Sequence, residues 1–294
     1  MQSASKQVFL IANPISGKSR THRHHGEIAR ALRSAGYGVR ELLTEAPGHA
    51  IRLARSVDDD ARAVLVFGGD GTVREVAEGL MNRQIPMYHV PAGNENLFAR
   101  QFGMKIKPVD ILAALERRNV TMIDLLDVSG QVCVACLGIA LDGEVIRRVA
   151  AKRHGHVSHL DYAWPIATCF AGYRFPELEV IADGQSIFAG QGMFYAGNLA
   201  QYAVHLPLFK TAICDDGLLD IVVFPCRGRG QLFKALFSVI LGRHINSRTA
   251  IYRRVREVTI RASADTACQL DGDVGPCPPI VARMMPKALA VLRP

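Results

Sequence analysis

Long hydrophobic runs and a cysteine framework are both missing from this sequence of 294 residues. No stretch reaches the roughly 18 apolar residues that a membrane-spanning helix needs. The apolar run at residues 8–12 is too short for a secretion signal and has no cleavage pattern behind it. Seven cysteines, an odd number without regular spacing, are typical of a reducing compartment. We therefore expect a cytoplasmic protein, either soluble or held peripherally at the inner face of a membrane.

Basic residues outnumber acidic ones, at 35 against 27, so the formal charge is +8. Such a charge favours anionic partners, namely nucleotides, nucleic acid or acidic lipid surfaces, but does not choose among them. Hydrophobic residues make up 49% of the chain and charged ones 21%, which is normal for a globular protein with a core. The length allows two domains of ordinary size.

The most informative stretch is residues 64–75, which read V-L-V-F-G-G-D-G-T-V-R-E. An apolar strand that feeds a glycine-rich turn and a helix N-terminus is a common phosphate site. Gly68, Gly69 and Gly71 let backbone N–H groups approach an anion, because glycine has no Cβ. Asp70 adds a carboxylate that can serve a metal ion or an incoming hydroxyl group. The pattern indicates a phosphate site for phosphoryl transfer, and the alternative for this stretch alone is a tight strand-to-helix turn with an aspartate as N-cap.

The first part of the chain alternates strand and helix patterns. The periodicity predicts strands at residues 8–12, 39–43, 63–67 and 87–90, and helices at 20–34, 47–57, 72–81, 94–102 and 108–117. This alternation predicts a largely parallel sheet covered on both faces, with ligands outside the carboxyl ends of the strands. Three polar, glycine-bearing turns, at residues 13–18, 68–72 and 91–96, should converge at that edge.

The character changes near residue 120. The pattern predicts strands at residues 121–127, 131–140, 177–182, 186–195, 219–224, 257–262 and 268–270, with helices mainly at 162–171 and 230–241. Asp183-Gly184 indicates a hairpin. Phe233 and Phe237 on the last helix are expected in the core. We predict a mostly antiparallel second domain, with domains at 1–128 and 129–294 and the last residues packing back on the first.

Five segments resemble the diacylglycerol kinase catalytic-domain family of lipid kinases, which includes bacterial diacylglycerol kinases and sphingosine-type kinases. They are N-P-I-S-G-K at 13–18, G-G-D-G-T-V-R-E-V at 68–76, P-A-G-N-E-N-L-F-A-R at 91–100, D-D-G-L-L-D-I at 215–221 and L-D-G-D at 270–273. They follow the family's order over nearly the whole chain. The resemblance implies an ATP-binding α/β domain, as in NAD kinases and diacylglycerol kinases, followed by a β-sandwich domain for the lipid substrate.

The resemblance also implies a set of residues that contact the nucleotide. These are Asn13, Ser16, Gly17, Lys18, Thr44, Gly68, Gly69, Asp70, Gly71, Thr72, Glu75, Asn94 and Asn96. The sequence departs from the family within the third segment, where the family has P-x-G-T-x-N-D. Here the threonine is replaced by Asn94, and the final aspartate is replaced by Leu97.

The acidic segments of the second half resemble the family's metal and catalytic positions. A Mg²⁺ ion would be held by the Asp216 carboxylate and the backbone carbonyls of Ile213 and Leu218, oxygen ligands that suit a hard cation. Asp273 occupies the position of a glutamate that is proposed as the family's general base. Asp273 and Asp70 both remain candidates for that role. The alternative for these aspartates is turn formation, since Asp-Gly pairs favour hairpin loops.

Three functions stay open at this point. The first is an ATP- and Mg²⁺-dependent lipid kinase acting on a lipid such as diacylglycerol or a sphingoid base at a membrane surface, where basic side chains could face anionic lipid. The second is a kinase of a soluble acceptor, as in the NAD kinases. The third is a non-catalytic protein that binds nucleotide or lipid. We expect no nucleic-acid partner, and a homodimer stays open.

Overall fold

A computed structural model describes residues 6–16, 18–151 and 159–294, without the side chains of 18–23, 159–160, 162–163 and 170–171. The chain forms two compact units. The first consists of Met1–Ile123 together with Lys287–Pro294, and the second of Asp124–Pro286.

The first unit alternates strands and helices, as the sequence pattern predicts. Its elements are β1 (Gln7–Ala12), α1 (Lys18–Ser34), β2 (Gly38–Leu43), α2 (His49–Arg55), β3 (Ala63–Gly68), α3 (Asp70–Leu80), β4 (Met87–Pro91), α4 (Leu97–Phe102) and α5 (Pro108–Arg117).

The sheet of the first unit is parallel. The order is β2-β1-β3-β4, and the C-terminal strand of the chain pairs beside β4 through Val291 and Met87. Every residue of β3 is buried, which is expected of a central strand with both faces covered. Because all neighbours run parallel, their carboxyl ends lie at one edge of the sheet.

The second unit is mostly strands. Its elements are β5 (Asn119–Val128), β6 (Gln131–Cys133), β7 (Cys136–Ile139), α6 (Leu141–Ala151), α7 (His159–Gly172), β8 (Glu177–Ala182), β9 (Gln185–Gly197), β10 (Leu219–Pro225), α8 (Arg229–Ile240), β11 (Ile251–Val255), β12 (Glu257–Arg261), β13 (Cys268–Leu270), β14 (Asp273–Val274) and β15 (Ile280–Arg293). Strands β5 and β15 each belong to both units, since residues 119–123 of β5 and 287–293 of β15 are part of the first unit.

The strands of the second unit pair antiparallel throughout the registers that the structure gives. Alternate residues of its strands enter two different apolar clusters. On β9, Phe194 belongs to a cluster built from strand residues alone, whereas Met193 packs with residues of α6, α7 and α8. Successive strand side chains point to opposite faces, so a strand-only core lies on one side and helices cover the other. The fold class predicted from sequence, a parallel α/β unit followed by an antiparallel β-sandwich, is confirmed.

The hairpin predicted at Asp183-Gly184 joins β8 and β9. Both residues adopt left-handed backbone conformations, with φ of 45° and 80°, as a two-residue type I′ turn requires.

Several local predictions are wrong. The single strand expected at residues 131–140 is broken into β6 and β7, because the intervening amides of Val134 and Ala135 bind a side chain instead of a neighbouring strand. Helix α6 and strands β11 and β15 are absent from the prediction. Phe233 and Phe237, expected in the core, are exposed.

Candidate functional site

Asn13 fixes the first of the three turns at the sheet edge. Its backbone N–H donates to the Phe67 carbonyl of β3 at 2.9 Å. Its side-chain oxygen accepts from the Ile15 amide at 3.0 Å, and its side-chain nitrogen donates to the Thr72 hydroxyl at 3.4 Å. The Ser16 amide closes the turn on the Asn13 carbonyl at 3.2 Å. Gly17 and the Lys18 side chain lie outside the described residues.

The second turn is the glycine-rich one. Gly68 ends β3, Gly69 precedes the helix in an extended conformation, and α3 begins at Asp70 with no side-chain cap. The first N–H groups of an α-helix have no carbonyl partner within the helix, and the helix dipole favours negative charge there. The start of α3, with Gly71 and Thr72 in its first turn, can therefore bind an anion.

The third turn packs directly against the second. The Ala92 amide donates to the Gly68 carbonyl at 3.1 Å. A Cβ on Gly93 would lie 2.6 Å from the Gly69 Cα, so a glycine is needed at position 93, whereas a Cβ on Gly69 would meet the Gly93 Cα at 3.4 Å. The Asn96 side chain accepts from the Gly93 amide at 2.8 Å and donates to its carbonyl at 2.7 Å. Asn96 thus orders the turn, and Asn94 is exposed at its tip.

Two further predicted contacts sit beside these turns. The Thr44 amide, directly after β2, donates to the Ala12 carbonyl of β1 at 2.9 Å. An Asp70 carboxylate oxygen faces the Phe98 amide at the start of α4, at 3.5 Å. The structure therefore brings Asn13, Thr44, Asp70 and the three turns to the same sheet edge, where they form a cradle of backbone amides and small polar side chains.

Glu75, which the resemblance implies as a nucleotide contact, makes hydrogen bonds to a neighbouring helix. Its two carboxylate oxygens accept from the amides of Gly48, at 2.8 Å, and Ala50, at 3.1 Å. These amides belong to the N-terminus of α2, which has no cap of its own. Glu75 therefore caps α2 from the neighbouring helix, and its contact with a nucleotide stays a prediction.

His89 lies beneath the glycine-rich turn, and the sequence reasoning missed it. The residue is fully buried on β4, and its Nε2 donates to the Gly68 carbonyl at 2.9 Å. Burial lowers the pKa of His89 from 6.5 to about 4, so the ring is neutral at pH 7. A lone histidine in an apolar strand is not distinguishable from an ordinary core residue in the sequence. Here it fixes the last carbonyl of β3.

In the second unit, a buried aspartate supports the acidic loop that the resemblance marks as a metal site. Asp124 of β5 accepts from the Gly217 amide at 2.6 Å, and its own amide donates to the Cys214 carbonyl at 2.7 Å. Asp216 accepts from the Leu218 amide at 3.0 Å and forms an ion pair with Arg254. Sequence reasoning missed Asp124, although a buried acid that interrupts an apolar strand is itself a signal of a polar role.

The turn before Asp273 is held by a second buried aspartate. Asp271 and Gly272 have φ of 51° and 84°, which makes the link between β13 and β14 a tight hairpin turn. The Asp271 carboxylate accepts from the amides of Val134, Ala135 and Cys136 at 2.8–2.9 Å. The Asp271-Gly272 pair therefore forms the turn, and the Asp271 side chain also orders the segment between β6 and β7. Asp273 follows it as a partly exposed residue of β14.

A buried polar network lies at the start of α6. The Asp142 carboxylate accepts from the Tyr202 hydroxyl at 2.9 Å. Burial raises the pKa of Asp142, opposed by its hydrogen bonds with Tyr202 and Gln269. None of these residues was predicted, because their partners are more than 50 residues apart in the sequence.

Two other features, a metal cluster and a membrane-spanning helix, can be compared with the described residues. Across those residues, no three or more histidine, cysteine, aspartate or glutamate side chains cluster closely enough to hold a metal ion. The site at Asp216 would use one carboxylate and two carbonyls, so this result does not address it. None of the helices in the described part of the chain has the length and apolarity needed to cross a membrane.

Two protein families match nearly the entire chain. Residues 7–128 match the family described as "Diacylglycerol kinase catalytic domain", and residues 135–293 match "YegS C-terminal NAD kinase beta sandwich-like domain". Among curated proteins, the chain is similar to a diacylglycerol kinase of Bacillus subtilis, at 26% identity over 92% of this chain and 90% of that protein. It is also similar to one of Mycobacterium tuberculosis, at 29% identity over 98% and 95%.

A solved structure confirms the likeness of the fold. The crystal structure of a diacylglycerol kinase from Bacillus anthracis matches with a TM-score of 0.79 and 21% sequence identity, covering 100% of this chain and 99% of that one.

Proposed function

This chain belongs to the diacylglycerol kinase catalytic-domain family, and on that premise we propose that it is an ATP-dependent lipid kinase. It would transfer the γ-phosphate to a hydroxyl group of a lipid such as diacylglycerol or a sphingoid base. The observation that carries the proposal is the amide cradle at the sheet edge, where Gly69 and Gly93 meet beside the start of α3. Such a cradle suits a phosphate chain.

The residues of the cradle have separate parts in this proposal. The amides of Gly69, Asp70, Gly71 and Thr72 would bind phosphate oxygens. Asn13 and Asn96 hold the turns on either side in position. Ser16, Gly17, Lys18, Thr44 and Asn94 are proposed as further nucleotide contacts on the basis of the family resemblance. When bound, ATP supplies the phosphoryl group, and positioning by the protein is expected to account for most of the catalysis.

The acidic loop of the second unit fits Mg²⁺ in its chemistry. Asp216 offers a carboxylate, and the carbonyls of Ile213 and Leu218 offer neutral oxygens, which are ligands for a hard cation. Arg254 supplies the positive charge at Asp216 in this structure. We therefore propose that the metal and Arg254 compete for this carboxylate, and that replacing Arg254 with glutamine strengthens Mg²⁺ binding. The metal would neutralise the loop and hold its shape.

Asp273 and Asp70 are the two proposed bases for the acceptor hydroxyl. The hairpin turn at Asp271 fixes the backbone before Asp273, which supports a defined position for its carboxylate. Asp70 lies in the cradle itself, where it would serve either as the base or as an anchor for a metal ion. A lipid acceptor would be reached from the cytoplasm at the inner face of the membrane, with the enzyme bound peripherally.

The test is transfer of radiolabelled phosphate from ATP to a panel of lipids in mixed micelles. We compare the wild type with Asp70→Asn, Asp273→Asn and, as a control, Asp60→Asn at an exposed position of the first unit. Loss of a general base should reduce the rate by about 10²–10⁴-fold. It should do so without weakening ATP binding, whereas the control should match wild type. Lipid phosphorylation that is unchanged in both site variants would contradict the assigned chemistry.

A second candidate acceptor is NAD, because the match to residues 135–293 is described as NAD kinase beta sandwich-like. Phosphorylation of NAD without lipid or detergent would favour that acceptor over a lipid. ATP binding with no turnover on lipid or NAD would instead favour a non-catalytic protein.

A further inference from the structure

Helix α8 has two apolar faces. Leu232, Ala235 and Val239 point inward and belong to the apolar cluster beneath the helix. This inner face is the part of the helix that the fold itself needs. A helix on the surface of a soluble protein normally carries polar residues on its other face.

The outer face of α8 is apolar instead. Phe233, Phe237 and Ile240 are 60%, 63% and 54% exposed, and Leu241 directly after the helix is also exposed. Their spacing of i, i+4, i+7 and i+8 places them on one stripe. We call these four residues the outer stripe. Exposed, contiguous apolar surface of this kind marks an interaction site.

The segment of the sequence that carries the outer stripe has charged residues of one sign only. Residues 226–256 contain seven arginines, one lysine and no aspartate or glutamate. Exposed basic residues lie at both ends of α8, with Arg227 and Arg229 at its start and Arg243 after its end. Lys234 lies within the helix, and the Lys210 amine donates to the Gly242 carbonyl at 2.7 Å. An apolar stripe with basic side chains along its helix and at both ends is complementary to an anionic, amphipathic surface.

Helix α8 is too short to span a lipid bilayer. Twelve residues span about 18 Å, well short of the roughly 30 Å of a bilayer's hydrocarbon core. The helix could therefore lie in the plane of the interface, with its apolar side at the acyl boundary and its basic side chains at the phosphates.

We propose that α8 docks the protein onto an anionic lipid bilayer through the outer stripe and the basic side chains beside it. This inference deepens the proposed function, because it names the surface by which a lipid kinase would reach its acceptor. Docking itself needs neither ATP nor acceptor lipid.

The experiment is co-sedimentation of the full chain with vesicles that contain no acceptor lipid. Vesicles of equal parts phosphatidylserine and phosphatidylcholine, neither of which carries a free alcohol hydroxyl, are compared with vesicles of phosphatidylcholine alone. The variants are Phe233→Glu with Phe237→Glu, Lys234→Gln with Arg243→Gln, and Val109→Glu as a control that adds one glutamate at an exposed apolar position of the first unit. Circular dichroism and gel filtration report the folding and oligomeric state of each.

We expect wild type and Val109→Glu to bind the anionic vesicles and the double phenylalanine variant to lose at least tenfold in affinity. The variant that lacks both Lys234 and Arg243 should lose about 25-fold in affinity, about fivefold for each charge removed, and on anionic vesicles only. Wild type that fails to bind, or a folded phenylalanine variant that binds normally, would overturn the proposal. So would a dimer that the phenylalanine changes dissociate without affecting vesicle binding. Because these vesicles hold no acceptor, the result is independent of whether any lipid is phosphorylated.

Discussion

Where Gly69 and Gly93 cross, the two turns of the cradle are so close that a single added carbon atom would change their spacing. A methyl group on Gly93 would meet the Gly69 Cα at 2.6 Å and the Gly69 nitrogen at 3.4 Å. Both contacts are with backbone, so no side-chain rotation can relieve them. The two turns would have to separate.

Gly93→Ala should therefore lower the free energy of unfolding by about 2 kcal/mol, the size typical of overpacking. It should also abolish stabilisation by ATP. The matched control is Gly26→Ala in α1, where an added Cβ meets nothing within 4 Å and alanine favours the helix. Chemical denaturation with and without ATP measures both effects. A Gly93 variant that keeps its ATP-dependent stabilisation would show that the crossing is not part of the site.

His89 makes the first unit sensitive to acid. Burial holds its pKa at about 4, against about 6.5 in an unfolded chain. Between these values the unfolded state binds a proton that the native state does not, so stability falls as pH drops through this window. The loss at pH 4 should approach 3 kcal/mol, at about 1.4 kcal/mol per pKa unit.

The unfolding free energy of wild type, His89→Gln and the control His205→Asn, at an exposed site, should be measured from pH 7 to pH 4. The His89 variant should show a shallower pH dependence than the other two proteins. Parallel curves for all three would mean that His89 does not contribute to the acid sensitivity.

Residues of the cradle differ in how readily the sequence reveals them. The glycines, Asn13 and Asp70 occur in short polar turns after apolar strands, so local patterns indicate them. His89 and Asp124 act on partners 21 and 93 residues away, and nothing next to them in the chain reports those partners. The same separation explains why the break between β6 and β7 was missed, since it depends on Asp271.

At the scale of elements, α2 depends on a neighbouring helix for its N-terminus. Glu75 of α3 accepts from two of its first amides with both carboxylate oxygens, and a negative charge at this end also complements the helix dipole. Glu75→Gln should lower the free energy of unfolding by about 1–2 kcal/mol and leave ATP affinity unchanged.

Glu78→Gln is the control for this change, since Glu78 is on the same helix and forms only a long ion pair with Arg55 at 3.5 Å. Such pairs are worth about 0–1 kcal/mol. Calorimetric titration with ATP alongside denaturation separates the two roles of Glu75. Weaker ATP binding with unchanged stability would favour the nucleotide contact that the family resemblance implies.

Helices and strands with a clear hydrophobic period were predicted well from the sequence. Strands that depend on partners distant in the sequence were not. Strand β8 and helix α5 have the predicted bounds. Strand β15 was missed because Pro286 and Lys287 interrupt its apolar pattern. It pairs with β12 and β4 because of the topology of the sheet, and no pattern in its own sequence indicates these partners.

At the scale of the whole molecule, the end of the chain completes the first unit. Residues 288–292 are all buried, and Val291 pairs with Met87 beside β4. Burying a valine or leucine side chain contributes about 1.5–3 kcal/mol, so these residues together rival the about 5–15 kcal/mol by which a domain is stable. The first unit therefore cannot reach its full stability until the last residues have been synthesised.

A chain that ends at Pro286 should consequently lose the cooperative unfolding of the first unit. Hydrogen exchange at β1, β3 and β4 should become fast, and ATP should no longer protect those strands. A chain that ends at Leu292 is the control, because it lacks only the exposed Arg293 and Pro294 and should behave as wild type. Slow exchange at β3 in the shorter chain would mean that the first four strands fold without the C-terminal one. The last strand would then be an addition to the first unit and not a part of its core.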